Sequence, residues 1–414
     1  MKKNFQYIFL FCASVIFCVL LFEFTARFFI KPSPECYGIL FNHIELPPFT
    51  LKITPREHAY SDKPADNMIV DGKKITNGDL LGIFHPDIAG YAPKENAVSR
   101  NGWWQSNNLG ARSPTDIAKS IPLGKQRVII FGESFTDCVA VPGNETWPFF
   151  LNNKSKNVEF LNFGVGGYDM GQCLLRYETI RKKVDYDIAM LVFVPGADLP
   201  REINVLRQIQ GWPNASFMPR FIVEDNQLKL IKSPYKAYDD FYRENKNQFS
   251  VRLKEHLRAY DRLYFSLKYE SPPFWGESIL YKLLARLVYT YQNKTLWRDI
   301  MMPKSEAMAI SLKIFEKMNE GVKHDGKKFV LVVLPESGGL SRYNKDHKFQ
   351  QHRDEMVSSI EKEGIICIDL MKDLSAMSPE QLDRAYDGVH YGPKANKIIA
   401  EILWRKLKDL KLLY

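Results

Sequence analysis

Nothing in this sequence is spaced to hold a metal ion. Its six cysteines, Cys12, Cys18, Cys36, Cys138, Cys173 and Cys367, include no C-x-x-C pair and no histidine partner at zinc-finger distance. That excludes structural zinc sites, and the scatter argues against a disulfide framework. No run rich in lysine and arginine and no RNA-binding signature occurs. The formal net charge of +9 therefore speaks for anionic surfaces such as phospholipid headgroups or acidic glycans, and not for nucleic acid. Internal repeats and low-complexity tracts are absent, which removes repeat architectures. A dinucleotide-binding loop is missing too: Gly164 and Gly166 begin a G-x-G-x-x-G pattern, but its third glycine is Asp169. Such a loop needs that glycine for close packing. The chain calls for no metal and no cofactor.

What the chain does have is one long apolar stretch at its start. Phe5 to Phe22 runs without a charge, Lys2 and Lys3 precede it, and apolar character continues through Phe24, Phe28, Phe29 and Ile30. About 18 such residues suffice to cross a bilayer as a helix. Glu23 and Arg27 interrupt the run four apart, a spacing at which they can pair on one helix face near the interface. The rival is a cleavable signal peptide, but the stretch is long for an h-region and no small-x-small cleavage site follows. Cys12 and Cys18 follow Phe11 and Phe17, which does not suit lipoprotein acylation. Residues 1–31 are therefore expected to form a single-pass anchor in the cell inner membrane, with the body periplasmic or otherwise extracytoplasmic. The charge bias behind that orientation, Lys2 and Lys3 against Arg27 and Lys31, is small.

With 414 residues, 45% of them hydrophobic and 25% charged, the chain can bury a full core. Residues 32–126 are rich in Pro, Asn, Asp and Gly, with short apolar stretches such as Leu80 to Phe84, and read as an irregular collar. From Arg127 to the last residue, short β-branched runs alternate with helical patterns. Candidate strands are Val128 to Phe131, Val158 to Asn162, Ile188 to Val194, Phe329 to Leu334 and Ile365 to Leu370, each apolar enough to be buried on both faces. After Pro393, the residues Ala395, Ile398, Ile399, Ile402 and Leu403 repeat as one buried helix face. This alternation implies an α/β fold, a parallel five-stranded sheet with helices on both faces and a ligand site at the carboxyl ends of the strands. Roughly a hundred residues separate the third and fourth strands, far more than an ordinary connection. A large helical insertion is expected there, at about 200–305. It carries Phe249, Leu253, Leu257 and Tyr260 on one helix face, then Pro272-Pro273-Phe274-Trp275 and the apolar patch Ile279 to Tyr289, which read as packing.

Three short segments carry chemistry, each after a strand. Phe131-Gly132-Glu133-Ser134 places a serine behind a glycine that permits a tight turn, as an exposed nucleophile needs. Asn162-Phe163-Gly164-Val165-Gly166-Gly167-Tyr168 offers backbone N–H groups that side chains do not obstruct, suited to a developing oxyanion. Asp387-Gly388-Val389-His390 spaces a carboxylate and an imidazole so that Asp387 can accept the Nδ1 proton and leave Nε2 to activate Ser134. Alone, each is a loose match. Taken singly, a helix cap is the better explanation of the serine and a surface turn the better explanation of D-x-x-H. Their order, each at a strand end that a doubly wound sheet brings together, makes coincidence the poorer account.

The layout resembles the SGNH/GDSL hydrolase family over Arg127 to about Leu410, interrupted by the insertion. Asn108-Leu109-Gly110-Ala111-Arg112 further resembles a segment of bacterial members that carry an N-terminal membrane helix. The resemblance implies a flavodoxin-like sheet, Ser134 as nucleophile with Asp387 and His390 as its catalytic partners, and Ser134 and Gly164 as oxyanion donors. Two departures stand out. The family's Asp beside the serine is Glu133, and its Gly-Asn-Asp block reads Gly196-Ala197-Asp198. Alanine has no side-chain amide, and loss of one such donor slows a hydrolase on the order of a hundredfold to a thousandfold.

Two functions are in view. The first is a serine-dependent hydrolase or transferase of O-acyl groups, acetyl foremost, on an envelope polysaccharide or glycolipid. The second is a weakly or non-catalytic SGNH-like binding partner of a multi-pass membrane acyltransferase, as similar anchored proteins assist polymer acylation. Ala197 favours the second, and the intact Ser134, Asp387 and His390 favour the first.

Overall fold

The computed structural model describes residues 2–32, 39–41, 43–49, 51, 53, 64–70, 73–76, 84–85, 89–99, 101–210, 217–235, 238–272 and 274–413. Cys36 lies outside them, as does most of Leu80 to Phe84. The chain divides into two compact units. One is built from Met1–Thr54, Gln208–Pro213 and Pro234–Arg298, the other from Pro55–Arg207, Asn214–Ser233 and Asp299–Tyr414.

The larger unit is organised by β1 (Gln126–Phe131), β2 (Val158–Asn162), β3 (Ile188–Phe193), β4 (Lys328–Val333) and β5 (Ile366–Asp369), arranged as β2-β1-β3-β4-β5 with every pairing parallel. This is the doubly wound, flavodoxin-like order, which reverses direction between β1 and β3 and opens a crevice at their carboxyl ends. Alternation along the strands feeds two cores. Val128 and Ile130 face a cluster with Trp147, Leu151, Ile399 and Leu403, from the helices α1 (Trp147–Asn152) and α2 (Pro393–Asp409). On the other face Phe131 stacks on Phe163 at 5.6 Å, meets Tyr177 edge-on at 5.8 Å, and Phe193 meets Phe315 at 5.2 Å. Those partners lie in the helices α3 (Met170–Ile180) and α4 (Glu306–His324), apart from Phe163 just past β2.

The five strands fall within a residue or two of their expected places. Burial on both faces holds for β1 and β3 but not for β5, where Ile366 is exposed and Cys367 and Asp369 are half-buried. The reason is positional, because β5 closes one edge of the sheet. Between β3 and β4 the chain also forms an antiparallel hairpin, Arg220–Glu224 with Gln227–Ile231, which the helical reading of that stretch did not contain. Before β1, short antiparallel pairs such as Pro64–Val70 with Lys73–Thr76 stand where the sequence shows no periodicity. Two of these strands are only two residues long, which leaves too few alternations to read, and the seven residues of Pro64–Val70 do not alternate apolar with polar.

The smaller unit begins with the helix Lys2–Ala26 and a 3₁₀ turn, Arg27–Phe29. Gln6–Phe29 is long and apolar enough to cross a membrane, and most of its side chains are exposed up to Leu21. Ile30–Pro32, Ile39–Phe41 and Ile44–Leu46 follow as a three-stranded antiparallel sheet. Ala26, Leu46 and Ile279 form the centre of a small core, with Phe22, Ile30, Phe41 and Leu283 around it. Glu23 accepts from Ser278 Oγ at 2.5 Å and from the N–H groups of Ile279 and Leu280 at 2.9 Å each. It thereby caps the long helix Ile279–Ile300, a partner that the Glu23–Arg27 spacing did not suggest. Leu253 and Leu257 are buried as their spacing predicts, on a helix Val251–Tyr260 that Ser250 caps.

Candidate active site

β1 delivers Phe131 to the switch point, and Gly132 and Glu133 turn the chain into the one-turn helix Ser134–Asp137. A Cβ on residue 132 would crowd the Thr136 side chain and come within 3.1 Å of the Val192 carbonyl oxygen of β3. Only glycine lets the two strand ends approach this closely. Glu133 then caps the turn: its Oε1 accepts the Phe135 N–H at 2.8 Å, and its Oε2 accepts the Ser134 hydroxyl at 2.5 Å.

Glu133 is fully buried, and its counter-charge is Arg201, whose guanidinium donates to Oε2 at 3.1 Å. Arg201 lies on the helix α5 (Pro195–Glu202) that follows β3. Asp198 stands 3.8 Å from the same guanidinium and accepts the Val194 N–H at 2.6 Å. Burial and the nearby Glu133 push the Asp198 carboxyl well above the usual carboxylate range, against the pull of Arg201. Removing one partner of a buried pair leaves the other charge desolvated and costs about 3–5 kcal/mol. Arg201→Met should therefore lower stability by about that amount in denaturant titration, and adding Glu133→Gln should recover most of it. Equal stability of Arg201→Met and the parent would remove the pair from any structural role.

Asp387 and His390 arrive together on the turn before α2. Asp387 Oδ1 accepts the N–H groups of Val389 and His390, each at 3.0 Å. Gly388 at the apex has φ +69°, a left-handed conformation that favours glycine. The other carboxylate oxygen lies 2.5 Å from His390 Nδ1, and His390 Nε2 lies 2.7 Å from Ser134 Oγ. An acceptor-only carboxylate opposite Nδ1 assigns the ring proton there and leaves Nε2 as acceptor. The Phe135 ring backs the imidazole, with centroids 4.7 Å apart. Burial raises the Asp387 carboxyl, but the hydrogen bond and charge of His390 and the two backbone N–H groups outweigh it and hold the group below its ordinary range. Ser134, His390 and Asp387 are thus brought into one hydrogen-bonded line.

The glycine loop runs beside them. A Cβ on Gly166 would sit 3.9 Å from Ser134 Cβ. Gly164, the expected donor, has its N–H taken by Asn162 Oδ1 at 2.9 Å, while Asn162 Nδ2 donates to the Thr136 carbonyl at 2.9 Å. The Gly166 N–H goes to the Asp137 carboxylate, which also receives Trp104 Nε1 at 3.0 Å. The N–H groups of Ser134 and Gly167 have no hydrogen-bond partner among the described residues. Ala197 is the third residue of α5, half-buried against the core at the carboxyl end of β3, its N–H donating to Val194 O at 2.9 Å.

Several supporting residues escaped sequence reasoning, Arg201 and Asn162 among them. Arg112 is another: buried, it donates to the carbonyls of Asp137, of Cys138 at 2.8 Å, of Val141 at 2.6 Å and of Trp103 at 3.1 Å. It ties down the chain that leaves the serine turn. The only hint was its place at the end of Asn108-Leu109-Gly110-Ala111-Arg112. Among the described residues, no group of three or more His, Cys, Asp and Glu could hold a metal ion.

No family model and no curated protein matches the chain. Similar solved structures include an acetyl xylan esterase, AlAXEase, 13% identical, with 68% of this chain and 99% of that chain covered and a TM-score of 0.34. A GDSL-like lipase from Bacteroides thetaiotaomicron VPI-5482 is 13% identical, covering 71% and 93%, with a TM-score of 0.33. The psychrotrophic esterase EstA from Pseudoalteromonas sp. is 9% identical, covering 69% and 98%, with a TM-score of 0.33. At these identities and scores the likeness carries no weight for function, which rests on the geometry around Ser134.

Proposed function

We propose that this chain is a serine-dependent ester hydrolase or acyl transferase, in which Ser134 is the nucleophile, His390 the general base and acid, and Asp387 the group that orients the imidazole. The observation that supports it is the continuous line from Ser134 Oγ to His390 Nε2 at 2.7 Å and from His390 Nδ1 to Asp387 at 2.5 Å. Nε2 takes the hydroxyl proton as Oγ attacks the ester carbonyl, and returns it to the departing alkoxide, leaving an acyl-enzyme. Water or a sugar hydroxyl then repeats the sequence in reverse. The backbone N–H groups of Ser134 and Gly167 are the donors left over for the oxyanion, in place of Gly164.

The substrate class we assign is an O-acylated envelope polysaccharide or glycolipid, with acetyl as the acyl group. A membrane-anchored body, placed outside the cytoplasm, suits an ester made or displayed at the bilayer. A second reading, a binding partner of a multi-pass acyltransferase, draws support from Ala197 and from the second acceptor, Glu133, that the serine hydroxyl has at 2.5 Å.

One substitution separates the two. Ala197→Asn restores the amide that the resembling family uses, and should raise turnover of p-nitrophenyl acetate by up to about a hundredfold with little change in KM. High activity already in the parent means that another group supplies the donor. No hydrolysis by either protein overturns the enzyme reading, and co-purification of a multi-pass acyltransferase would then be the measurement to make.

A further inference from the structure

The helix Ile279–Ile300 is apolar on two sides, and only one of them is accounted for. Ile279, Leu283 and Ala285 turn toward protein, where Ile279 and Leu283 join the small core around Ala26 and Leu46. Leu284, Leu287, Val288 and Tyr291 recur at helical spacing on a different face and are exposed, Leu287 at 66% and Tyr291 at 72%. Just before the helix, Phe274 is 90% and Trp275 59% exposed. Six large apolar side chains in one stretch are more than the scattered exposure that needs no explanation.

Their place is fixed by Glu23. That side chain belongs to the N-terminal apolar helix, yet it accepts from Ser278 and the first N–H groups of Ile279–Ile300. Phe24, Phe28 and Phe29, which follow Glu23 in the same helix and turn, are themselves exposed. The capped end of Ile279–Ile300 is therefore level with side chains that need an apolar surrounding. Lys294 and Arg298 continue the exposed side by one and two further turns, and basic residues beside an apolar stripe match anionic headgroups. Tryptophan and tyrosine favour the same depth.

We propose that Phe274, Trp275 and the helix Ile279–Ile300 lie in the interfacial layer of the bilayer that holds the N-terminal helix, with Leu284, Leu287, Val288 and Tyr291 against lipid. This rests on the reading of residues 1–31 as a membrane anchor. The second attachment fixes the orientation of the smaller unit on the membrane, which one spanning helix, free to rotate about its axis, does not.

Photo-crosslinking of the full chain in native membranes tests it, with p-benzoylphenylalanine placed singly at Leu287, Tyr291, Asn293 and Phe17. Asn293 is exposed and lies about 120° from Leu287 and about 160° from Tyr291 around the helix at ~100° per residue. Intact-mass analysis should find a shift of one phospholipid at Leu287 and Tyr291, as at Phe17, and none at Asn293. A discrete protein adduct at Leu287 or Tyr291 would assign the face to a partner or to a second copy and overturn the proposal. Lipid adduct at Phe17 with none at the two helix positions would overturn it while leaving the anchor standing. Absence of lipid at Phe17 would remove the anchor reading itself, and the proposal with it.

Discussion

Ser134→Ala is expected to lower kcat for p-nitrophenyl acetate by on the order of 10⁴–10⁶, down to whatever binding and oxyanion stabilisation alone provide. The hydroxyl is the only atom lost, and it is the atom on which His390 Nε2 converges at 2.7 Å. Folding should survive, because Glu133 keeps the Phe135 N–H and the Arg201 guanidinium as partners. The variant should therefore unfold within about 1 kcal/mol of the parent. That pairing of outcomes, large in rate and small in stability, is what separates a nucleophile from a helix-capping serine. Residual activity within tenfold of the parent, in a folded protein, would mean that hydrolysis proceeds elsewhere.

Asp387→Asn should cost about 10⁴ in kcat. The amide can still accept the Val389 and His390 N–H groups, so the turn remains. Its NH₂ group, however, can face Nδ1 and select the tautomer that puts the ring proton on Nε2, where the serine needs an acceptor. The parent should also show how the carboxylate titrates. Because the folded Asp387 carboxyl lies below its ordinary value, its contribution to stability is complete above the unfolded value of about 3.9 and is lost as pH falls through the folded one. Asp387 should accordingly stay charged across the neutral range and place no limb in a pH–rate profile there. An Asp387→Asn variant with an unchanged kcat would leave His390 needing no partner and would dissolve the triad as assigned.

How much of this could be read in advance divides along a physical line. The central strands were legible because burial on both faces imposes continuous apolar runs, as in Val128 to Phe131 and Ile188 to Phe193. Asp387 and His390 were legible because a four-residue turn is local. What stayed hidden depends on who donates to whom across the fold. Gly164 looks like a free donor in sequence, but Asn162 two residues earlier claims its N–H, and nothing in the spacing distinguishes it from Gly167. Arg201 sits 68 residues from Glu133, and only the adjacency of β1 and β3 makes them a pair. The sequence reads Ile279 to Tyr289 as packing, yet Leu284, Leu287 and Val288 are exposed on a face apart from Ile279 and Leu283, since composition does not record which side of a helix meets protein.

The separation of 256 residues between Ser134 and His390 also sets a schedule. Ser134 leaves the ribosome well before His390 does, since synthesis adds only about 5–20 residues per second. His390 reaches the serine when α2, three residues further on, closes against α1 and the sheet. The line from Ser134 to Asp387 is thus among the last features of the larger unit that synthesis can complete.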